Sequence, residues 1–290
     1  MGRKWIAVLV AAPGLVGSCS LLTSLDGLSG PDSPGADAGD AGDAGSDTSD
    51  GDVDDGLPDA PFETSDGPAI RFCDTVTPPP AFCADFDGAN AKAEDGWSGH
   101  EEGGGATSSL DHDVFHSGPA SLGVHVPPIP DGGWAKADLV RAAAGAAAET
   151  SLTFDFRADT YTDSNVGGIA LAGDGSASPY SASLVFGSGY ASLMEEAAED
   201  GGPYFYTTLP GAPPLGQWTT VTLIVHSVDR GAGTDGWVTV EYDGAVVLDK
   251  HPITTKTAFG VPTITLGAAY VQNSPTGWAA NFDNVVIRAN

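Results

Sequence analysis

Between Gly216 and Asp249 the chain reads GQWTTVTLIVHSVDRGAGTDGWVTVEYDGAVVLD, and this stretch leaves little choice of fold class. Val221, Leu223 and Val225 alternate with Thr220, Thr222 and His226, the period-2 pattern of a strand with one face buried. Val238, Val240 and Tyr242 alternate in the same way with Trp237, Thr239 and Glu241. Asp243-Gly244 then separates two β-branched runs. An Asp-Gly pair readily adopts the two positive φ angles of a two-residue hairpin turn, so Ala245–Leu248 is expected to fold straight back. Three consecutive antiparallel strands result.

The rest of the C-terminal region has the same texture. Candidate strands are Phe82–Phe86, Ser121–Val126, Ser151–Arg157, Val166–Ala172, Ser181–Phe186, Tyr190–Met194, Tyr204–Thr208, Thr263–Tyr270 and Trp278–Arg288, with Gly, Pro and Asp between them. In Leu152-Thr153-Phe154-Asp155-Phe156 the three apolar residues share a face. About a dozen short strands without a sustained helical pattern predict an all-β, two-sheet antiparallel sandwich. Only Arg141–Thr150, RAAAGAAAET, has a helix-forming composition. Gly145 interrupts it and it has no amphipathic stripe, so it is read as a loop with one helical turn.

Residues 1–18 read as an export signal. Arg3 and Lys4 precede an apolar run, Trp5–Val16, broken by Pro13-Gly14 and too short to span a bilayer. The run ends in Leu15-Val16-Gly17-Ser18-Cys19, which resembles the lipobox of bacterial lipoproteins, where the cysteine is acylated and becomes the first residue. The competing reading is simple secretion with Cys19 in the discarded peptide. Lipidation at Cys19 predicts anchoring to a membrane through acyl chains, each buried CH₂ contributing roughly 0.8 kcal/mol. Ser20 follows, which by the sorting rule of enteric bacteria favours the outer membrane. The protein is therefore expected at the bacterial cell envelope, lipid-anchored, at the outer membrane or cell surface.

Residues 19–69 are expected to form a disordered acidic linker. Between Asp26 and Gly67 there are thirteen acids and no Lys or Arg, with few apolar residues to offset the entropy of ordering. Asp50-Gly51-Asp52 has calcium-loop spacing but lacks the aliphatic anchors of such repeats. A solvated tether with an end-to-end distance of roughly 35 Å is the better reading.

Residues 70–290 then form one domain. Of the chain's 39 acids and 11 Lys and Arg, 26 acids and nine bases lie here, a formal charge of −17. Such a surface argues against nucleic acid as a partner and favours cations and neutral or cationic ligands. The domain is expected to be a monomer. With Cys19 assigned to the lipid, Cys73 and Cys83 are the remaining pair, and in an exported protein a disulfide is the default. No His or further Cys stands at zinc-ligand spacing beside them.

Four short pieces carry a family resemblance. They are Phe82-Cys83-Ala84-Asp85-Phe86-Asp87, followed by Trp97; Ser117-Gly118-Pro119-Ala120-Ser121-Leu122; Leu215-Gly216-Gln217-Trp218 with Val238-x-Val240-x-x-Asp243-Gly244; and Phe282-Asp283-Asn284-Val285. In this order they resemble the concanavalin A-like lectin/glucanase superfamily in its laminin-G-like jelly-roll form. The resemblance implies that the first and last strands lie side by side. It also implies a possible structural calcium near them, for which Asp85, Asp87 and Asp283, with Asn281 or Asn284, are the candidate ligands. The alternative is that these side chains form turns and edge hydrogen bonds.

Catalytic signatures are weak. The Glu-x-Asp-x-(x)-Glu strand of laminarinase-like jelly rolls is absent, and the adjacent Glu195 and Glu196 point to opposite faces of a strand. Asp155, Arg157 and Asp159 share a face but read better as an exposed ion-paired strand. The Arg, Gln-x-His and Tyr motifs of alginate-lyase-like jelly rolls are also absent. His112 and His116 are the histidines most like ligands, and no Gly-x-Ser-x-Gly motif supplies a nucleophile.

Sugars need only aromatic platforms and a few polar groups. If Phe205 is core, Tyr204 and Tyr206 lie on the open face. Trp134, Tyr180, Trp237 and Trp278 are further candidates. The expected function is a non-catalytic jelly-roll module on a surface lipoprotein, binding a glycan or cell-surface polysaccharide or acting as an adhesin. The alternatives are a tethered polysaccharide hydrolase or lyase, and a protein-interaction module.

Overall fold

The computed structural model describes residues 70–290 except 89–90, 131, 172–179, 197–202, 228–235, 254–259 and 273. The signal peptide, Cys19 and the acidic linker lie outside the described residues. The chain begins with one helical turn, α1 (Phe72–Thr75), and β1 (Phe82–Ala84). There follow β2 (Gly99–Gly103), β3 (Thr107–Asp111), β4 (Ser121–Val126), β5 (Trp134–Ala142) and β6 (Glu149–Ala158). The middle of the domain is β7 (Ser164–Leu171), β8 (Tyr180–Gly187), β9 (Tyr190–Glu196) and β10 (Tyr204–Leu209). It ends with β11 (Thr219–His226), β12 (Trp237–Tyr242), β13 (Ala245–Pro252), β14 (Pro262–Gln272) and β15 (Trp278–Ala289).

These strands form two antiparallel sheets. One runs β13-β12-β11-β6-β15-β4-β3, with β1 also paired to β15; the other runs β10-β9-β8-β7-β14-β5-β2. The architecture is the predicted two-sheet sandwich. Strand β15 pairs with β4 through Phe282 and with β1 from Val285 onward, so the first and last strands do lie side by side. The change of partner coincides with a bulge after Asp283, where Asn284 has φ 50°.

The alternation between Gly216 and Asp249 holds residue by residue. Val221, Leu223, Val225, Val238 and Val240 are buried, and β11 pairs with β12 from Val221↔Tyr242 to His226↔Trp237. Asp243 and Gly244 take φ angles of 49° and 75°, the mirror-image turn whose twist matches a hairpin. Asp243 Oδ1 also accepts the Thr220 N–H at 2.8 Å, tying the turn to the neighbouring strand. Leu152, Phe154 and Phe156 are fully buried on one face of β6. Phe156 packs on Phe282 and Phe186 with ring centroids 5.4 and 5.3 Å apart, so this cluster joins the two sheets. Burying each such ring stabilises the fold by about 1.5–3 kcal/mol.

Three strands escaped the sequence pattern: β2, β3 and β5. In β5 the inward residues are Ala135, Ala137 and Leu139. Alanine is depleted in strands, so AKADLV carries no strand signature until its neighbours β14 and β2 are in place. No helical turn forms within Arg141–Thr150; its ends extend β5 and begin β6. Among the described residues no helix is long and apolar enough to cross a membrane.

Candidate functional site

The acidic residues of the terminal strands work as caps. Asp85 is buried and bonds the Arg71 guanidinium and, at 3.2 Å, the Cys73 N–H. Asp283, also buried, accepts N–H groups from His116 (3.0 Å), Ser117 (2.9 Å) and Asn284 (2.8 Å), and Asp87 accepts that of Ala120 at 3.3 Å. Desolvation is the main reason that the Asp87 and Asp283 carboxyls are both pushed up to about 6. The side-chain amide of Asn281 donates to Asp111, and that of Asn284 to Asp155. Among the described residues no group of three or more His, Cys, Asp or Glu is placed to hold a metal ion. Asp85, Asp87 and Asp283, the candidate calcium ligands, here fasten residues 112–120 and the N-terminal segment to the sheet. The Cys73–Cys83 disulfide forms as expected, with an S–S distance of 2.08 Å.

The polar cluster around Asp155 is likewise positional. Asp155 accepts from Thr220 Oγ1 at 2.6 Å and from Asn284 Nδ2 at 2.8 Å, and lies 2.6 Å from His116 Nδ1. The His116 ring stacks on Trp218 with centroids 5.5 Å apart. Asp155 is buried, so it does not line a groove with Arg157 and Asp159. Those two pair with each other at 3.3 Å, as an exposed ion-paired strand would. His112 Nδ1 lies 3.2 Å from the Pro119 carbonyl oxygen.

The other sheet turns a different surface outward. Its register places Tyr206, Met194, Ser183 and Gly168 in one row across the strands, and Thr208, Ser192, Val185, Asn165 and Tyr270 in the next. Here the sheet carries a groove of about 710 Å³, floored by Asn165, Val185 and Met194. Tyr190, Tyr204 and Tyr206 stand on the β9–β10 side, and Tyr270 and Gln272 on the β14 side. All four tyrosines are exposed, from 39% for Tyr190 to 62% for Tyr206, although large aromatics of this kind are usually at least partly packed away. The lining is completed by Asp163 and Glu196.

Each carboxylate is engaged by a tyrosine. Asp163 accepts the Tyr190 hydroxyl, and burial together with this bond pushes that phenol up to about 12. The negative charge of Glu196, which accepts the Tyr204 hydroxyl, is the first reason that the Tyr204 pKa is raised. Glu196 pairs with Ser181, whereas Asp163 stands beside Gly187, six residues further along β8. At ~3.3 Å per residue their backbones are about 20 Å apart along the strands. Glycoside hydrolysis by a carboxylate pair needs about 5–9.5 Å, so these two do not form one.

Of the residues singled out in the sequence, Tyr204 and Tyr206 reach the groove. Trp134 is half exposed and pairs across the strands with Gln272, so it flanks the rim on the same face. Trp278 is corrected: it is 3% exposed and packs in the core with Ala280 and Phe282. Tyr180 is buried as well, its hydroxyl donating to Glu195 at 2.7 Å. Trp237 belongs to the other sheet, stacked on His226 at 5.0 Å. Phe205 turns to the opposite side from the two tyrosines, yet at the edge of the sheet it stays 40% exposed and is not core. No sequence pattern marks Tyr190 or Tyr270 as groove residues. Tyr190 follows a turn whose length hides its register. Tyr270 lies where β14 shifts register between Leu266 and Val271, which breaks the simple alternation.

The chain is thus a two-sheet antiparallel β-sandwich with a groove on one outward face. No family model matches the chain, and no curated protein matches it. Among solved structures it is similar to the endo-β-1,4-glucuronan lyase of the fungus Trichoderma reesei. The TM-score is 0.56 and the identity 14%, over 73% of this chain and 96% of that one. A cellulose-induced protein, Cip1, aligns with a TM-score of 0.48 and 16% identity, over 72% of this chain and 97% of that one. At these identities the likeness extends to the fold alone.

Proposed function

We propose that the domain is a non-catalytic carbohydrate-binding module and that the tyrosine-lined groove of the seven-stranded sheet is its binding site. The observation that carries this reading is the convergence of four exposed tyrosines on one groove, with Asn165 and Gln272 available for hydrogen bonds to hydroxyls. Tyrosine presents an apolar ring face to the C–H face of a sugar and a hydroxyl to its polar edge, at little cost in conformational freedom. The jelly-roll similarity to a lyase acting on glucuronan supports a carbohydrate ligand as a class. The separation of Asp163 and Glu196 supports binding without hydrolysis.

In this proposal the lipidated Cys19 anchors the module at the cell envelope and the acidic segment holds it away from the membrane. A glycan array probed with the protein, followed by assay of each bound glycan for shortened products, tests the binding reading. Capture of at least one glycan without product release supports it, and an array with no bound glycan overturns it. For the anchor, metabolic labelling with a fatty-acid analogue is expected to mark the protein and to be lost in Cys19→Ser. Equal labelling of both would remove the anchor from the proposal.

A further inference from the structure

The charge of the groove narrows its ligand. The described lining holds two carboxylates, Asp163 and Glu196, and no Lys, Arg or His. A carboxylate has about four lone-pair positions, and one tyrosine hydroxyl leaves the others open to the groove. Each carboxylate accepts the hydroxyl of a tyrosine, Tyr190 for Asp163 and Tyr204 for Glu196, and the rings of all four tyrosines are exposed in the same groove. In a groove that combines carboxylates with exposed tyrosine rings, an ammonium group can ion-pair with the first and gain cation–π attraction of about 0.5–2 kcal/mol from the second. A uronate chain would meet the opposite situation: like charge at both ends of the groove, no cation to neutralise its carboxylates, and a domain whose formal charge is −17.

We propose that the groove is specific for a polysaccharide bearing primary amines, a glucosamine-type polymer, whose ring faces lie on the tyrosines and whose ammonium groups pair with Glu196 and Asp163. This rests on the carbohydrate-binding reading above and makes it more specific. The two carboxylates, about 20 Å apart at the backbone, grip two separated sugars of one chain, so affinity rises with oligomer length until both are engaged.

Titration calorimetry with β-1,4-linked glucosamine hexamer, N-acetylglucosamine hexamer, cellohexaose and a glucuronan oligomer tests this. The glucosamine hexamer is expected to bind at least tenfold more tightly than the neutral hexamers, the glucuronan oligomer not at all, and the glucosamine affinity to fall with added salt. Glu196→Gln is expected to weaken glucosamine binding about tenfold, and Glu241→Gln, on β12 of the other sheet, less than twofold. Unchanged thermal melting of both variants separates these effects from misfolding. Neutral hexamers binding as tightly as glucosamine would overturn the ammonium proposal while leaving the carbohydrate reading intact. Equal losses in the two variants would reduce the attraction to bulk charge and also overturn it. If none of the four binds and the glycan array is blank, both readings fall together.

Discussion

Tyr190 lies directly over Gly187, its register partner across the β8–β9 pair: a Cβ at position 187 would stand 2.3 Å from the tyrosine Cε1 and 2.7 Å from Asp163 Oδ1. The absence of a side chain at 187 therefore sets the height of one wall of the groove. Gly187→Ala is expected to lift the ring and break its bond to Asp163. Overpacking of this kind costs about 1–3 kcal/mol, or roughly 2–4 °C per kcal/mol in a domain of this size. Glycan affinity should fall along with the melting temperature. A variant with wild-type affinity would show that Tyr190 does not need this seat.

The tyrosines and the buried tryptophan should separate cleanly. Tyr206→Ala and Tyr270→Ala each remove an exposed ring and are expected to weaken glycan binding about fivefold, corresponding to about 1 kcal/mol, with melting unchanged within ~1 °C. Trp278→Ala empties a core site and is expected to destabilise the fold by about 3–5 kcal/mol. Calorimetry beside thermal melting checks both. Loss of binding in a Trp278 variant that melts normally would return that residue to the binding surface.

Asp283 makes the protein sensitive to mild acid in an unusual direction. Its folded-state carboxyl, raised to about 6 chiefly by desolvation, holds a proton more tightly than it does in the unfolded chain, where an aspartate carboxyl titrates at about 3.8. The native state then binds more protons between those values, so this group's contribution favours folding at the acid end and is lost as pH rises through about 6. Its size is on the order of 1–3 kcal/mol. Denaturant unfolding of wild type and Asp283→Asn at several pH values between 4 and 8 isolates it. The difference between the two should change over pH 4–6 and be flat above 7. A constant difference would mean that the carboxyl titrates normally.

Removing the Cys73–Cys83 bridge is expected to destabilise the domain by about 2–3 kcal/mol, since the loop it closes is short. The double variant Cys73→Ser/Cys83→Ser should melt several degrees lower and keep its glycan affinity, because the bridge is attached to the other sheet from the groove. A loss of affinity without a loss of stability would contradict that separation.

Strand parity explains which faces the sequence reveals and which it hides. Around Val221 and Val238 the alternation is between β-branched apolar residues and polar ones, so the pattern alone fixes which face is inside. Trp278, Ala280 and Phe282 also alternate, and all three are buried. That signal was present, but a lone Trp beside small residues reads as a surface aromatic unless Phe282 is used to set the parity. Tyr180 follows the same rule with Ala182, Leu184 and Phe186. Tyr270 could not be placed this way, because the register shift in β14 changes its face relative to Ile264 and Leu266. The pairing of Asp163 with Tyr190 depends on strand neighbours that no local pattern specifies. Asp85 holds the Arg71 guanidinium and the Cys73 N–H, Asp87 the N–H of Ala120, and Asp283 those of His116, Ser117 and Asn284. Sequence spacing cannot distinguish an amide from a cation as the partner of a carboxylate.

The pairing of β1 with β15 has a mechanical meaning. Tension applied ahead of residue 70 reaches the fold at Cys73, where the disulfide passes it directly to Cys83 in the middle of β1. The residues between the two cysteines cannot unspool. The load then falls on the ladder from Phe82↔Ile287 to Ala84↔Val285, and so on β15, which is held along its other side by β6. Force is thus carried through the eight-stranded sheet, and the tyrosine groove on the opposite sheet stays out of its path.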